Sequence, residues 1–108
     1  MSIKKQAGDK AGKNHLRRLE VKISALRKRS RIINLLPSEN EISVSGSFGS
    51  DRVFIISLYS SKNKRKLLRY FSTEGNTLLV INTIGYDSFD ISRPTIGFTE
   101  TFTVLISA

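Results

Sequence analysis

From Ile42 to Phe48 every second residue carries the same character: Ile42, Val44, Gly46 and Phe48 alternate with Ser43, Ser45 and Ser47. A side-chain period of two belongs to an extended strand with one buried and one wet face, and a helix cannot hold it. The pattern returns near the other end, where Phe98, Phe102, Val104 and Ile106 alternate with Thr99, Thr101, Thr103 and Leu105. Between them, residues 53–59 and 78–81 are nearly continuous apolar runs suited to central strands, with 66–71 and 88–91 as shorter candidates. Turn signals separate these runs at 46–51, 60–64, Glu74-Gly75-Asn76, 85–87 and Arg93-Pro94. About six strands at a spacing of roughly ten residues predict a mostly β fold over residues 38–108, a small antiparallel sandwich or barrel. A body of about 70 residues is short for a full eight-stranded jelly roll.

The chain before this body reads differently. Leu16, Leu19, Ile23 and Leu26 recur at helical spacing, and Ile33 resumes the stripe seven residues later. With Asn14 as N-cap and Pro37 as stop, the spacing predicts an amphipathic helix within residues 14–36, up to about 20 residues or ~30 Å long. Residues 1–13, rich in Lys, Gly and Ala, offer too little apolar surface to offset ordering entropy and are expected to form a flexible basic tail.

Charge divides the chain at the same place. The 108 residues carry a net charge of +9, and all of it sits in residues 1–31, where eleven cations face only Asp9 and Glu20. Those cations are Lys4, Lys5, Lys10, Lys13, Arg17, Arg18, Lys22, Arg27, Lys28, Arg29 and Arg31. Residues 32–108 hold seven charges of each sign. Such segregation exceeds what solubility needs and points to a polyanionic partner. Nucleic acid fits better than membrane, because the stripe offers Leu and Ile but no Trp or Phe to anchor in lipid. Arginine forks suit phosphate oxygens and base edges, and RNA is slightly favoured over DNA. In a helix, Arg18 and Lys22, like Arg27 and Arg31, would form like-charged i,i+4 pairs, so phosphate binding is expected to order the segment.

A second cluster, Lys62, Lys64, Arg65, Lys66 and Arg69, follows the apolar run ending at Tyr59. It reads either as a basic loop reaching the same ligand or as a solvated hairpin, with Tyr59, Tyr70 and Phe71 taken as core aromatics rather than stacking faces. Residues 27–31 and 62–66 also pass as nuclear-localisation patches, a common pattern. The apolar seam Leu16, Leu19, Ile23 and Leu26 offers a route to homo-oligomers. A basic arm on a small β body resembles the plan of many ribosomal proteins and of small viral coat proteins whose arms hold packaged RNA, in organisation and not in motif.

Enzyme chemistry finds little support. Cysteine is absent, and His15 is the only histidine, which leaves no triad and no histidine or cysteine metal cluster. Asp87 and Asp90 read as turn and backbone-capping carboxylates rather than an acid/base pair. No phosphate-cradling glycine motif is present, and Gly46-Ser47-Phe48-Gly49 lies between strands where a KH loop would join helices. No catalytic residue, metal or cofactor is expected. Without a secretory signal or a membrane-spanning run, the expected setting is intracellular: cytoplasm, nucleus or virion. The sequence thus predicts a non-enzymatic nucleic-acid-binding protein. The alternative is a self-assembling coat-like or ribonucleoprotein component.

Overall fold

The computed structural model describes the backbone of residues 16–108, and the side chains of these residues except 47–52 and 70–77. Six strands run in chain order: β1 (Leu16–Ile23), β2 (Ile33–Asn34), β3 (Glu41–Ser60), β4 (Arg65–Asn82), β5 (Ser88–Ser92) and β6 (Glu100–Ser107). Every pairing is antiparallel. β3 and β4 are far longer than the usual strand because each serves two sheets. Their shared ladder shifts register between Phe48 and Arg52. On one side of that irregularity, β1, β6, residues 41–48 and residues 75–82 lie side by side. On the other side the order is β2, β5, residues 52–60 and residues 65–73. The outcome is eight strand segments in two four-stranded antiparallel sheets.

Counted as segments, the first pairs with the last, the second with the seventh, the third with the sixth and the fourth with the fifth. This nested order is one long antiparallel ribbon rolled upon itself, the jelly-roll arrangement. Three expectations are corrected here. First, six strands become eight segments, because the turn signals at 46–51 and 74–76 mark a bend within continuous strands rather than hairpins. Second, the chain is long enough for a jelly roll, since one segment is only two residues long and the first is drawn from residues 16–23. Third, no helix occurs among the described residues, and most of the supposed apolar stripe lies in β1.

The third correction has a clear cause. Leu19, Val21 and Ile23 also alternate, and the helical stripe ignores Val21. In β1 these residues stand opposite Val104, Phe102 and Glu100 of β6. Val21 and Ile23 are fully buried and Leu19 packs against the core. A helix would leave Val21 among the cations and the β6 edge uncovered; burying two β-branched side chains outweighs a weak helical propensity. The strand also relieves repulsion, because Arg18 and Lys22 are about 13 Å apart along an extended chain instead of adjacent on a helix face. Leu26, 84% exposed, belongs to the turn after β1, so the four seam residues form no common stripe.

Between the sheets lie Val21, Ile23, Ile42, Val44, Ile81, Phe102, Val104 and Ile106 from the first and Ile33, Phe54, Ile56, Leu58, Phe89 and Ile91 from the second. Phe54 meets Phe102 edge to face, with centroids 4.9 Å apart and planes at 87°, which joins the two layers. The alternating run near the C-terminal end starts as a strand only at Glu100; Phe98 is exposed in the preceding loop.

Candidate nucleic-acid interface

The basic stretch after β1 is shaped by a residue far away in sequence. Arg93, at the end of β5, is buried, and its guanidinium donates to carbonyl oxygens of the loop it lies beneath. Nη2 reaches Ser24 O at 3.0 Å and Arg27 O at 2.8 Å, Nε reaches Arg27 O at 3.1 Å, and Nη1 donates to Phe98 O. Glu100 Oε2 lies 3.8 Å from Nη1 and supplies the countercharge. The Arg93 backbone N–H donates to Lys28 O at 2.8 Å. Arg93 thus gathers the carbonyls of Ser24, Ala25 and Arg27 on its guanidinium and that of Lys28 on its backbone, and Arg27, Lys28, Arg29 and Arg31 are all exposed.

The loop then runs along β5 with one residue too many. Arg29 bridges Ser92, while Ile33 stands opposite Phe89, so the pairing sum changes by one between them. Ser30 absorbs the mismatch: its N–H donates to Ile91 O at 2.8 Å, and its Oγ accepts from Ile91 N at 3.0 Å. The bulge re-aims the neighbouring side chains. Lys22, Arg27, Arg29 and Arg31 line an open cleft of about 320 Å³ together with Glu20, Ser24 and Ser30. Four of the predicted cations thus share one cleft.

The remaining predicted residues divide. Arg17 faces inward on β1, donating to Glu39 from Nε (3.0 Å) and Nη2 (2.8 Å), and to Asn34 O at 2.9 Å. The Glu39 side chain is fully buried and also accepts from Leu36 N at 2.7 Å. Arg17 is therefore committed to closing the sandwich end. Arg18 lies on the outer face of β1 near Glu20, at 3.7 Å. Lys4, Lys5, Lys10 and Lys13, with Asn14 and His15, lie outside the described residues.

The second cluster forms the β3–β4 hairpin and the start of β4. Lys62 and Lys64 sit in the turn, where Lys64 takes a positive φ of 53°. Asp87 caps this turn: its Oδ2 accepts from Ser61 N (3.1 Å) and from Ser61 Oγ, bonds that hold its carboxyl below the ordinary value. Arg65 lies over the Tyr86 ring at 5.7 Å. Arg69 is exposed at the edge of the second sheet.

Asp90 brings the two clusters together. It lies on the outer face of β5, opposite Ser57, and Tyr59 and Ser92 are its near neighbours in register. Tyr59 Oη donates to Asp90 Oδ1 at 3.3 Å, and Arg29 Nε stands 3.4 Å from Oδ2. Lys66, opposite Tyr59, places its Nζ 5.5 Å from the tyrosine ring centroid. The Asp90 side chain is only 1% exposed, and burial pushes its carboxyl above the ordinary value although Arg29, Tyr59 and Lys66 all pull it down. Arg29, on the cleft rim, and Lys66, from the second cluster, thus flank one carboxylate across the outer face of the second sheet.

Asp87 and Asp90 serve separate partners, as a capping carboxylate and as the counterion of a basic face. Tyr59 is half-buried on the outer face and is not a core aromatic. Its position was readable: Phe54, Ile56 and Leu58 face inward, so residues 55, 57 and 59 must face outward. The roles of Arg93 and Glu39 were not readable locally, because the loop carbonyls that Arg93 holds lie 66 to 69 residues away and the arginine that pairs with Glu39 lies 22 residues away.

No protein-family profile and no curated protein matches this chain. Among solved structures, a mitogen derived from Yersinia pseudotuberculosis is similar in fold, at 10% identity and a TM-score of 0.50, over 88% of this chain and 86% of that one. A Bacillus endospore appendage protein, from a family of disulfide-linked pili, aligns at 16% identity and a TM-score of 0.41 over 88% of each chain. At these identities the mitogen's likeness concerns the sandwich fold alone.

Proposed function

We propose that this chain is a non-enzymatic nucleic-acid-binding protein, with RNA slightly favoured over DNA, that holds phosphates along the cleft of Lys22, Arg27, Arg29 and Arg31 and onward to Lys66. The observation that carries this reading is the cleft itself: four cations converge on about 320 Å³ with Glu20 as its one lining anion. Like charges kept this close in a folded protein repel, and phosphate oxygens relieve that repulsion while guanidinium forks give them directed hydrogen bonds. The N-terminal lysines 4, 5, 10 and 13 add sequence-independent attraction. Such a protein would work inside cells or virions, where nucleic acid is at hand.

Photocrosslinking of the full chain to a labelled single-stranded RNA, followed by peptide mapping, tests the assignment. Attachment within residues 22–31 and 59–69 is expected. Attachment confined to the outer face of the first sheet, around Ser43, Ser45 and Leu105, would overturn it.

A second reading is self-assembly around packaged nucleic acid. One observation supports it: the outer face of the first sheet exposes Leu78 (66%) and Val80 (52%) on its edge segment, beside the uncharged Ser43, Ser45 and Thr103. An exposed edge of this kind invites pairing with another chain. Sedimentation separates the readings: an oligomer that forms without RNA supports assembly, and a monomer that shifts only with RNA supports simple binding.

A further inference from the structure

We infer that the interface takes single-stranded nucleic acid, with Tyr59 as the platform on which one base stacks. This rests on the nucleic-acid reading above and names the class of strand that the same site accepts.

Three observations point there. The cations are carried by a bulged loop and the outer face of a sheet, and among the described residues there is no helix to enter a major groove. An outward sheet face bearing an aromatic ring between cations is instead the way small β domains hold unpaired strands. Second, the Tyr59 ring is oriented rather than free, because its Oη is tied to Asp90 Oδ1 at 3.3 Å and Asp90 is buried. A ring fixed before binding loses little freedom when a base covers it. Third, what covers the ring now is replaceable: the Lys66 ammonium, 5.5 Å from the centroid, sits on an exposed, flexible side chain. A base arriving on Tyr59 displaces an ammonium that then meets the adjoining phosphate. Arg29, on the other side of Asp90, takes the next phosphate at the cleft rim.

The arrangement also disfavours a duplex. In a double helix the bases face one another, and Tyr59 would meet only backbone, so a duplex gains from the cations but not from the ring.

The test measures binding of the full chain to a fluorescently labelled oligouridylate and to an RNA duplex of equal length, over a salt series. The proteins are the native chain and the variants Tyr59→Phe, Tyr59→Leu, Tyr59→Ala and Arg27→Gln/Arg29→Gln/Arg31→Gln, each checked for a native melting transition. Tyr59→Phe keeps a ring and is expected to bind the single strand within about 3-fold of native, whereas Tyr59→Leu and Tyr59→Ala are expected to lose roughly 5- to 100-fold with the salt slope unchanged. Duplex affinity is expected to stay the same in all three. Tyr59→Leu preserves bulk, so a loss shared by it and Tyr59→Ala reports the ring and not a collapsed strand. If the native chain binds RNA with a slope that the arginine variant lowers, yet Tyr59→Leu and Tyr59→Ala bind the single strand as tightly as native, the platform is refuted and the nucleic-acid reading survives. If the native chain shows no salt-dependent RNA binding, both fall together.

Discussion

Asp90 and Asp87 pull the acid stability of this protein in opposite directions. Asp90 is raised above 3.8 by burial, so the native chain holds a proton there more tightly than the unfolded chain does. Its contribution therefore falls as pH rises from the unfolded value through the folded one, and the ionised form is a net burden at neutral pH. Asp87 is lowered, so its contribution is present above 3.8 and is lost as pH falls through its folded value. Asp90→Asn, which still offers Tyr59 an acceptor, is expected to leave neutral-pH stability intact or improved and to remove its share of the pH dependence; urea melts between pH 3 and 7 check this. The same substitution removes an anion from the basic face and frees Arg29, so RNA affinity should rise. A fall in affinity would mean that Asp90 positions Arg29 for the ligand instead of restraining it. Arg93 works in the reverse sense, since nearly all its donors are satisfied by carbonyls of two loops. Arg93→Met strands these acceptors and leaves Glu100 buried without its arginine, at an expected cost of about 3–5 kcal/mol in denaturant unfolding.

At the scale of elements, β1 decides between two readings of the same residues. If Leu16, Leu19, Ile23 and Leu26 formed one stripe, truncating any of them would cost similar amounts. In the observed strand, Ile23 is fully buried and Leu26 is exposed in a turn. Ile23→Ala is expected to cost about 2–5 kcal/mol and Leu26→Ala less than about 0.5 kcal/mol, as read from chemical denaturation. The alternation at 42–48 was legible because a period of two has no helical counterpart, and the apolar runs at 53–59 and 78–81 because they are short, rich in β-branched residues and bounded by turn signals such as 60–64. β1 was not, since its residues satisfy both periods and only the β6 edge, about 80 residues on, selects one of them. The corner between Phe48 and Arg52 was equally hidden, because glycine and polar residues mark a bend inside a strand as readily as a hairpin. The site shows the same division: its cations stand out in composition, whereas Asp90, Tyr59 and Arg93 acquire their roles only from cross-strand register.

For the molecule as a whole, rolling one ribbon into two sheets turns a linear asymmetry of charge into a spatial one. Residues 22–31 and 62–66 are more than 30 positions apart, yet β5 and residues 52–60 carry them to one face, where Arg29 and Lys66 share Asp90. The outer face of the first sheet is built differently: its charges gather mainly on β1, at Arg18, Glu20 and Lys22, and beside them Leu78, Val80 and Leu105 lie among serines and threonines. A folded basic face makes a specific claim: its residues contribute to binding as a fixed set. The most direct test is the slope of log affinity against log salt for a single-stranded RNA, compared between the native chain and Arg27→Gln/Arg29→Gln/Arg31→Gln. Three lost phosphate contacts at about 0.7 each are expected to make the slope shallower by roughly 2. An unchanged slope in a folded variant would contradict the account and leave any binding to the lysines of the N-terminal segment.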